Sequence, residues 1–315
     1  MLELPTPAHL RIATAAHLSR YFAKRADLFE FYRRMRGVGA KPLAFDDGHV
    51  LYHSWLPGFI AVDTPTAQAI RAWMDGGACP ALPADVVARL ATAGWCNAPM
   101  AVDLDQLVEK AFTVFPAIQN PVELRRFLDE VAALRPRTAI EIGTAGGGLL
   151  YCISQLAAED ALLVSIDVPG GLYGGGQDDE ECALFGTFVG ARQRLEFIRD
   201  RSFHLSTKLD LRKLLGQRKA DLLVIDGDHS YAGVRSDFEM YREFVAPGGI
   251  IALHDITMFP DTWGRGFDVG VAWREIAAEH RTREIVDRAA PMLPIPDQTE
   301  THRGLPALGF GLVLA

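Results

Sequence analysis

Short apolar runs alternate with amphipathic segments through the second part of the chain. Each run is four or five residues long, and they occupy positions 138–142, 162–166, 195–198, 222–225 and 250–253. Continuous apolar runs of this length are typical of strands that are buried on both faces. Their alternation with helical segments predicts an α/β fold with a doubly wound, mostly parallel sheet of the Rossmann-like kind.

Two further patterns complete this part of the chain. The amphipathic segment at 122–134 predicts a helix, with Asn120 as its N-cap and Pro121 at its first position. The segments 283–287 and 309–314 predict an antiparallel pair of strands that closes the chain.

The first part of the chain shows a different pattern. It predicts helices over 7–36, 66–74 and 84–93, with two short strands at 49–53 and 57–62. Pro116 and Pro121 mark the change, so we expect a mainly helical accessory domain at 1–115 and a second domain at 116–315. Residues 47–95 resemble a small winged-helix or PqqD-like peptide-recognition module. The alternative is a helical cap that forms a homo-oligomer, such as a dimer, or covers the substrate.

Composition and charge exclude several classes of protein. The 315 residues include 32 basic and 40 acidic side chains, which gives a formal net charge of −8. Nucleic acid is therefore not expected as a partner, because such binding depends on neutralising phosphates with Lys and Arg. The four cysteines form no CxxC pair, and neither a signal-like N-terminus nor an apolar run of 18 residues occurs. We expect a cytoplasmic protein with no membrane segment.

A glycine-rich turn is the first motif with chemical meaning. The segment AIEIGTAGGGLL at 139–150 reads as a strand containing Glu141, a turn with glycines from Gly143 onward, and a helix. Glycines let the backbone turn tightly and let a ligand approach it closely. Asp167 follows the next strand about 20 residues later, where an acidic side chain can bind ribose hydroxyls. The pair favours a nucleoside cofactor, although an NAD site would prefer a glycine at Ala145.

Carboxylates and histidines cluster after the next two strands. IDGDHSY at 225–231 and LHD at 253–255 lie at strand ends that meet at one edge of a parallel sheet. Oxygen ligands from Asp226 and Asp255 would suit a hard divalent ion. His229 would serve as a general base, because imidazole titrates near neutral pH. His254 is expected to be a core histidine bonded to backbone.

Asp228 and Ser230 have a structural interpretation. Both residue types favour the N-cap position of a helix, and a helix is expected to follow directly. A second glycine stretch at 169–181 is expected to form a flap beside the cofactor, or else a surface loop. Trp263, Arg265 and Phe267 lie in the loop after the fifth strand, at the edge of the sheet where open α/β folds bind their ligands.

The motifs EIGTAGGG, SIDVPGGLYGGG and DLLVIDGDHSYAGVRSDFEMYREFVAPGGIIALHDI together resemble class I S-adenosylmethionine-dependent methyltransferases. The resemblance is to the group that contains macrolide-sugar and rhamnosyl O-methyltransferases and cephalosporin-hydroxylase-like proteins, and it covers about residues 120–315. It implies that the glycine turn cradles the methionine part of the cofactor, that Glu141 anchors the turn through hydrogen bonds, and that Ser202 lies near the adenine. The cofactor-binding residues implied in this way are Glu141, Gly143, Thr144, Ala145, Gly146, Gly147, Asp167, Val168, Ser202, Asp226 and His229.

The resemblance also implies the reaction, O-methylation of a hydroxyl on a small molecule such as a sugar or a phenol. His229 and Asp226 would be the catalytic residues, and Asp226 and Asp255 would hold Mg²⁺ or Mn²⁺. In the macrolide-sugar enzymes the residue beside Asp255 is acidic, whereas here it is His254, so the presence of a metal stays open. The alternatives are a peptide or carrier-bound acceptor recruited by residues 1–115, and a hydroxylase-like or NAD-dependent oxidoreductase.

Overall fold

The computed structural model describes residues 3–27, 29–30, 43–170, 177–290 and 307–315. Its main feature is a large sheet made of the strands β4 (Thr138–Ile142), β5 (Leu162–Ile166), β6 (Arg194–Ile198), β7 (Ala220–Ile225), β8 (Val245–His254), β9 (Thr282–Ile285) and β10 (Phe310–Leu314). Across the sheet these strands lie in the order β6-β5-β4-β7-β8-β10-β9. Pairing is parallel from β6 to β8, and β10 runs antiparallel to both β8 and β9.

The predicted doubly wound sheet and its closing antiparallel pair are therefore confirmed. Strand β4 pairs with β5 on one side and with β7 on the other. The order of the strands along the chain reverses at this point, and ligands of open α/β sheets bind at the strand ends beside such a reversal. The ends of β4 and β7 are Ile142 and Ile225, and they lead directly into the glycine turn and into Asp226.

Helices cover both faces of this sheet. The predicted start of the helix Pro121–Leu134 is confirmed, because the Asn120 side chain accepts hydrogen bonds from the amides of Val122 and Glu123. Pro121 is its first residue. The helices of this part are α5 (Pro121–Leu134), α6 (Gly148–Leu156), α7 (Asp179–Phe185), α8 (Leu205–Leu215), α9 (Tyr231–Tyr241), α10 (Pro260–Trp263) and α11 (Val269–Glu279). Helices α5, α6 and α7 share one apolar cluster with the sheet, and α8, α9 and α11 share another.

The N-terminal part contains a small antiparallel sheet as well as helices. Its strands are β1 (Leu10–Thr14), β2 (His49–His53) and β3 (Phe59–Val62), and its helices are α1 (Ala15–Lys24), α2 (Thr64–Met74), α3 (Ala84–Thr92) and α4 (Leu104–Thr113). Helices α2 and α3 and strands β2 and β3 were predicted. The single helix predicted over 7–36 is wrong at its start, because Leu10–Thr14 pairs with His49–His53 and Thr14 then caps α1.

The apolar core continues from the N-terminal part into the large sheet. One cluster contains Phe22 of α1, Tyr52 of β2 and Phe112 of α4 together with Leu128 of α5 and Leu150 of α6. The N-terminal part thus packs directly on the helices that flank the glycine turn. Within the described residues, no helix is long and apolar enough to cross a membrane.

Candidate active site

The glycine turn between β4 and α6 has a strongly curved backbone. Gly143 has a φ of +87°, and a Cβ there would overlap the carbonyl oxygen of Asp226. Ala145 has a φ of +45°, in the left-handed region that costs an alanine about 1–2 kcal/mol. Gly143 is therefore required because the turn and the start of the loop after β7 lie in direct contact.

The later glycines of the turn accommodate the protein's own packing. A Cβ on Gly147 would lie 2.6 Å from the ring of Phe185, and one on Gly146 would lie 2.8 Å from the carbonyl oxygen of Pro116. A Cβ on Gly148 would overlap Phe115. The glycine run thus lets α7 and the segment before α5 pack against the turn.

Asp167 holds the turn in place. Its Oδ2 accepts hydrogen bonds from the amides of Thr144 at 3.0 Å and Ala145 at 2.8 Å, and its Oδ1 accepts one from Val168 at 2.7 Å. The amides of the turn are thus anchored by Asp167, which directly follows the strand at 162–166 and faces them. Glu141 interacts with the turn through the Thr144 side chain.

Glu141 lies buried on β4 beneath the turn, and neither of its carboxyl oxygens makes a hydrogen bond of standard geometry within the described residues. Burial raises the pKa of Glu141 from 4.5 to about 8, and the nearby carboxylates of Asp226 and Asp167 add to the rise. A group with hydrogen-bonding capacity but no partner is costly to bury. The Glu141 carboxyl is thus suited to a cationic ligand group.

The predicted cluster of carboxylates and histidines forms at the ends of β7 and β8. Nδ1 of His254 lies 3.1 Å from Oδ1 of Asp226 and 3.1 Å from Oδ1 of Asp255. Nε2 of His229 lies 3.2 Å from Oδ2 of Asp255 and 3.6 Å from Oδ1 of Asp226. The expectation that His254 bonds to backbone is wrong, because its ring nitrogen reaches two carboxylates instead.

These four side chains perturb one another electrostatically. Burial by itself would raise the pKa of Asp226, but His254 and His229 together hold it below its usual value. Burial by itself would lower the pKa of both histidines, yet the carboxylates raise the pKa of His229 and, more strongly, that of His254. Strongly perturbed ionisable groups in a cleft are characteristic of functional sites.

The same cluster has the geometry of a cation site. Ligand atoms of Asp226, His229 and Asp255 all lie within 4.8 Å of one another. Asp255 also has a φ of +62°, a conformation that is uncommon for a residue other than glycine. This backbone conformation directly follows His254 at the end of β8.

Two cavities meet at the cluster. The smaller, of about 200 Å³, has mainly apolar walls that include Ile118, Met258, Trp263 and Phe267. The larger, of about 600 Å³, opens along the ends of β5 and β6. Both are lined by Gly143, Ala145, Asp226, Gly227, His229 and Phe267.

The remaining predicted residues divide between these cavities. Glu141, Thr144, Gly146 and Asp255 line the smaller one, and Asp167, Val168 and Ser202 line the larger one. Gly147 belongs to neither lining. Trp263 and Phe267 lie at the smaller cavity, as expected, whereas Arg265 is not among its lining residues.

In the loop after β7, the predicted helix-capping role is confirmed for Ser230. Ser230 is the N-cap of α9 and accepts a hydrogen bond from the amide of Gly233, while Asp228 accepts one from the amide of Ser230.

Asp178 caps α7 in a reciprocal capping box with Glu181. The stretch predicted as a flap includes residues 171–176, which lie outside the described residues.

Gln119 is a site residue that the sequence interpretation missed. Its Nε2 donates a hydrogen bond of 3.0 Å to Oδ2 of Asp226, and its Oε1 is buried without a hydrogen-bond partner in the part of the chain that the structure describes. Gln119 lies just before α5, far along the chain from Asp226. No local motif marks it, because only the fold brings the two segments together.

The glycine turn and the cluster both lie at the point where the strand order reverses, which is where open α/β sheets bind their ligands. Residues 140–256 match the family model described as a methyltransferase domain. The match covers less than half of the chain, but it includes the glycine turn, Asp167 and the whole cluster. Residues 140–256 are therefore similar to a methyltransferase domain.

A relative was found in Sinorhizobium fredii (strain NBRC 101917 / NGR234), the "Uncharacterized protein y4gI". It is 28% identical over 154 residues, which are 47% of this chain and 16% of that protein. The chain thus matches only a small part of the length of this relative.

Several solved structures are similar in fold. The O-methyltransferase TomG from Streptomyces achromogenes, in complex with SAM, has 17% identity and a TM-score of 0.42 over 67% of this chain and 87% of that one. An O-methyltransferase from Bacillus cereus, in complex with SAH, has 16% identity and a TM-score of 0.45 over 69% and 93%. The MycE methyltransferase of the mycinamycin pathway, with Mg and SAH, has 17% identity and a TM-score of 0.41 over 70% and 59%.

Proposed function

We propose that this protein is an S-adenosylmethionine-dependent O-methyltransferase that acts on a hydroxyl of a small molecule, such as a sugar or a phenol. The observation that carries the proposal is the meeting of two cavities at Asp226 and His229, inside the segment that matches a methyltransferase domain. A methyl donor in one cavity and an acceptor hydroxyl in the other would meet at these two side chains.

The larger cavity suits the adenosine part of the cofactor. Asp167, Val168 and Ser202 line it, and a carboxylate that already accepts amide hydrogen bonds keeps acceptor capacity for ribose hydroxyls. The carboxyl of Glu141, which lines the smaller cavity and makes no hydrogen bond of standard geometry among the described residues, suits the ammonium group of the methionine part. S-adenosylmethionine, when bound, supplies the methyl group.

In this proposal His229, with its ring neutral, takes the proton of the acceptor hydroxyl. Asp255, whose Oδ2 lies 3.2 Å from Nε2 of His229, stabilises the imidazolium that results. Asp226 orients the cluster through His254 and accepts the hydrogen bond from Gln119. The apolar walls around Trp263 and Phe267 exclude water from the acceptor. Positioning and deprotonation supply the rate enhancement.

In a second version of this mechanism, a divalent cation would bind to the cluster and activate the acceptor hydroxyl. Asp226, His229 and Asp255 provide two carboxylates and an imidazole within 4.8 Å, a donor set that fits Mg²⁺ or Mn²⁺. Such an ion, when bound, lowers the pKa of an acceptor hydroxyl. The two versions differ in the role of His229, which is a ligand in one and a base in the other.

The proposal assigns an accessory role to residues 1–115. We propose that they cover the methyltransferase part, as a cap or as the contact of a homo-oligomer, in a cytoplasmic protein. Support for a cap comes from the apolar cluster that the N-terminal helices share with α5 and α6. The mass of the particle in solution, measured by light scattering, tests the homo-oligomer.

The test is direct. The purified chain is incubated with methyl-labelled S-adenosylmethionine and a panel of phenols and sugars, with and without EDTA, and label in the products is counted. Label on an oxygen of one acceptor class supports the proposal, and loss of transfer with EDTA that Mg²⁺ restores favours the cation version. Label that never leaves the cofactor, although S-adenosylhomocysteine binds, contradicts the proposed transfer to these acceptor classes.

A further inference from the structure

Helix α1, which lies outside the segment that matches the methyltransferase family, contacts the glycine turn directly. The hydroxyl of Tyr21 donates a hydrogen bond of 2.6 Å to the carbonyl oxygen of Gly146. Nη2 of Arg25 donates one of 3.3 Å to the carbonyl oxygen of Ala145. Tyr21 lies in the last turn of α1 and Arg25 is its C-cap, so both side chains reach the turn from the same end of the helix.

These contacts act on the most strained residue of the turn. Ala145 has a left-handed φ of +45°, which persists only where the surroundings hold it. Its amide donates to Asp167, and its carbonyl accepts from Arg25. The turn is thus held from two sides, by the sheet through Asp167 and by the N-terminal part through Arg25.

Arg25 is itself fixed by a buried ion pair. Its Nη2 lies 2.8 Å from Oε1 of Glu181, and the two side chains are only 4% and 3% exposed. Glu181 also belongs to the capping box of α7. Just before that helix, Nε2 of Gln177 donates a hydrogen bond of 3.4 Å to Asp167. Arg25 is thus paired with Glu181, and Gln177 with Asp167, so both sides of Ala145 are held by residues of the segment 177–181.

We infer that Arg25 and Tyr21 are positioning residues for the cofactor site, which they complete from the accessory part without lining either cavity. The inference rests on the proposed function, because the turn is where the methionine part of S-adenosylmethionine would lie. Preorganised backbone raises affinity by removing the cost of ordering it on binding. The N-terminal part thereby acts on the cofactor site.

The structure offers a matched pair of variants. Arg25→Lys keeps a positive charge beside Glu181 but loses the guanidinium nitrogen Nη2, which contacts both Glu181 and Ala145. Arg20→Lys is the control, because Arg20 also joins α1 to α7, through an exposed ion pair with Glu180, and makes no contact with the turn. Tyr21→Phe is a second test that removes only one hydroxyl and is expected to fold.

Calorimetry with two probes, S-adenosylhomocysteine and adenosine, separates positioning from general stability. Arg25→Lys and Tyr21→Phe are each expected to raise the Kd of S-adenosylhomocysteine by about five- to tenfold. The Kd of adenosine, which lacks the part that meets the turn, should change by less than about twofold in the same variants. Arg20→Lys should leave both values unchanged.

Three results would overturn the inference. If both test variants bind S-adenosylhomocysteine like the wild type, α1 does not position the turn. If both probes weaken equally, the role is merely structural. If the wild-type chain binds no S-adenosylhomocysteine, the proposed function fails and takes the inference with it, so the wild-type measurement distinguishes the two failures.

Discussion

Glu141 provides a prediction with opposite effects on stability and on ligand binding. Its carboxyl is 2% exposed and lacks a partner of standard hydrogen-bond geometry within the described residues, and its pKa rises from 4.5 to about 8 in the folded protein. In Glu141→Gln the side chain keeps its shape and can no longer ionise. We expect this variant to be more stable than the wild type at alkaline pH.

The sign follows from proton linkage. Between pH 4.5 and about pH 8 the folded state retains the Glu141 proton while the unfolded state has lost it. The wild-type free energy of unfolding therefore falls through this range as the pH rises. Each pKa unit corresponds to about 1.4 kcal/mol, so ionising Glu141 in the folded protein costs roughly 5 kcal/mol. Glu141→Gln avoids this cost.

Urea unfolding of the ligand-free chain at several pH values is the assay. The free-energy difference between Glu141→Gln and the wild type should be near zero at pH 4.5 and grow to roughly 5 kcal/mol by pH 8.5. Glu159→Gln is the control, because Glu159 is 74% exposed and its ion pairs lie on the surface. A pH-independent difference for Glu141→Gln would refute the reasoning.

The second half of the prediction concerns the ligand. If Glu141 meets the ammonium of the methionine part, the stabilised variant should bind S-adenosylhomocysteine at least about tenfold more weakly at pH 8, because a charged partner is lost. Unchanged affinity in calorimetry would show that Glu141 is a buried structural acid.

The remaining predictions concern the cluster and the turn. His229→Ala and Asp226→Asn should each lower methyl transfer at least about 100-fold while S-adenosylhomocysteine still binds in calorimetry; normal turnover would remove that residue from the mechanism. Gly143→Ala should lose about 2 kcal/mol more stability to urea than Gly216→Ala, because both glycines have positive φ but a Cβ at Gly216 meets nothing within 4 Å; equal losses would contradict this. If methyl transfer depends on Mg²⁺ after EDTA treatment, Asp255→Asn should abolish that dependence or raise the Mg²⁺ concentration required about tenfold or more. Methyl transfer that EDTA does not change would exclude the cation from the mechanism.

Much of the large sheet could be predicted from the sequence. Its strands are short apolar runs whose burial on both faces leaves a clear pattern, and the start of α5 is marked by Asn120 and Pro121. Strand β1 could not be predicted in the same way. It is formed by pairing with His49–His53, which lies more than 30 residues away, so the tertiary context decides its conformation.

The candidate site likewise contains some features that could be predicted from the sequence and others that could not. The convergence of Asp226, His229 and Asp255 could be predicted because parallel strands end at one edge of the sheet. The partners of His254 depend on side-chain direction at two different strands, which the chain pattern does not encode. The contact of Arg25 with Ala145 joins segments 120 residues apart and has no local signal.

Binding of S-adenosylhomocysteine and of NAD to the unmodified chain tests the central claim most directly. At about 100 times its Kd, S-adenosylhomocysteine should stabilise the folded state by about 2.7 kcal/mol and raise the Tm by about 5 °C, with no shift for NAD. A rise in Tm with NAD, and none with S-adenosylhomocysteine, would contradict the assignment of this site to a methyltransferase.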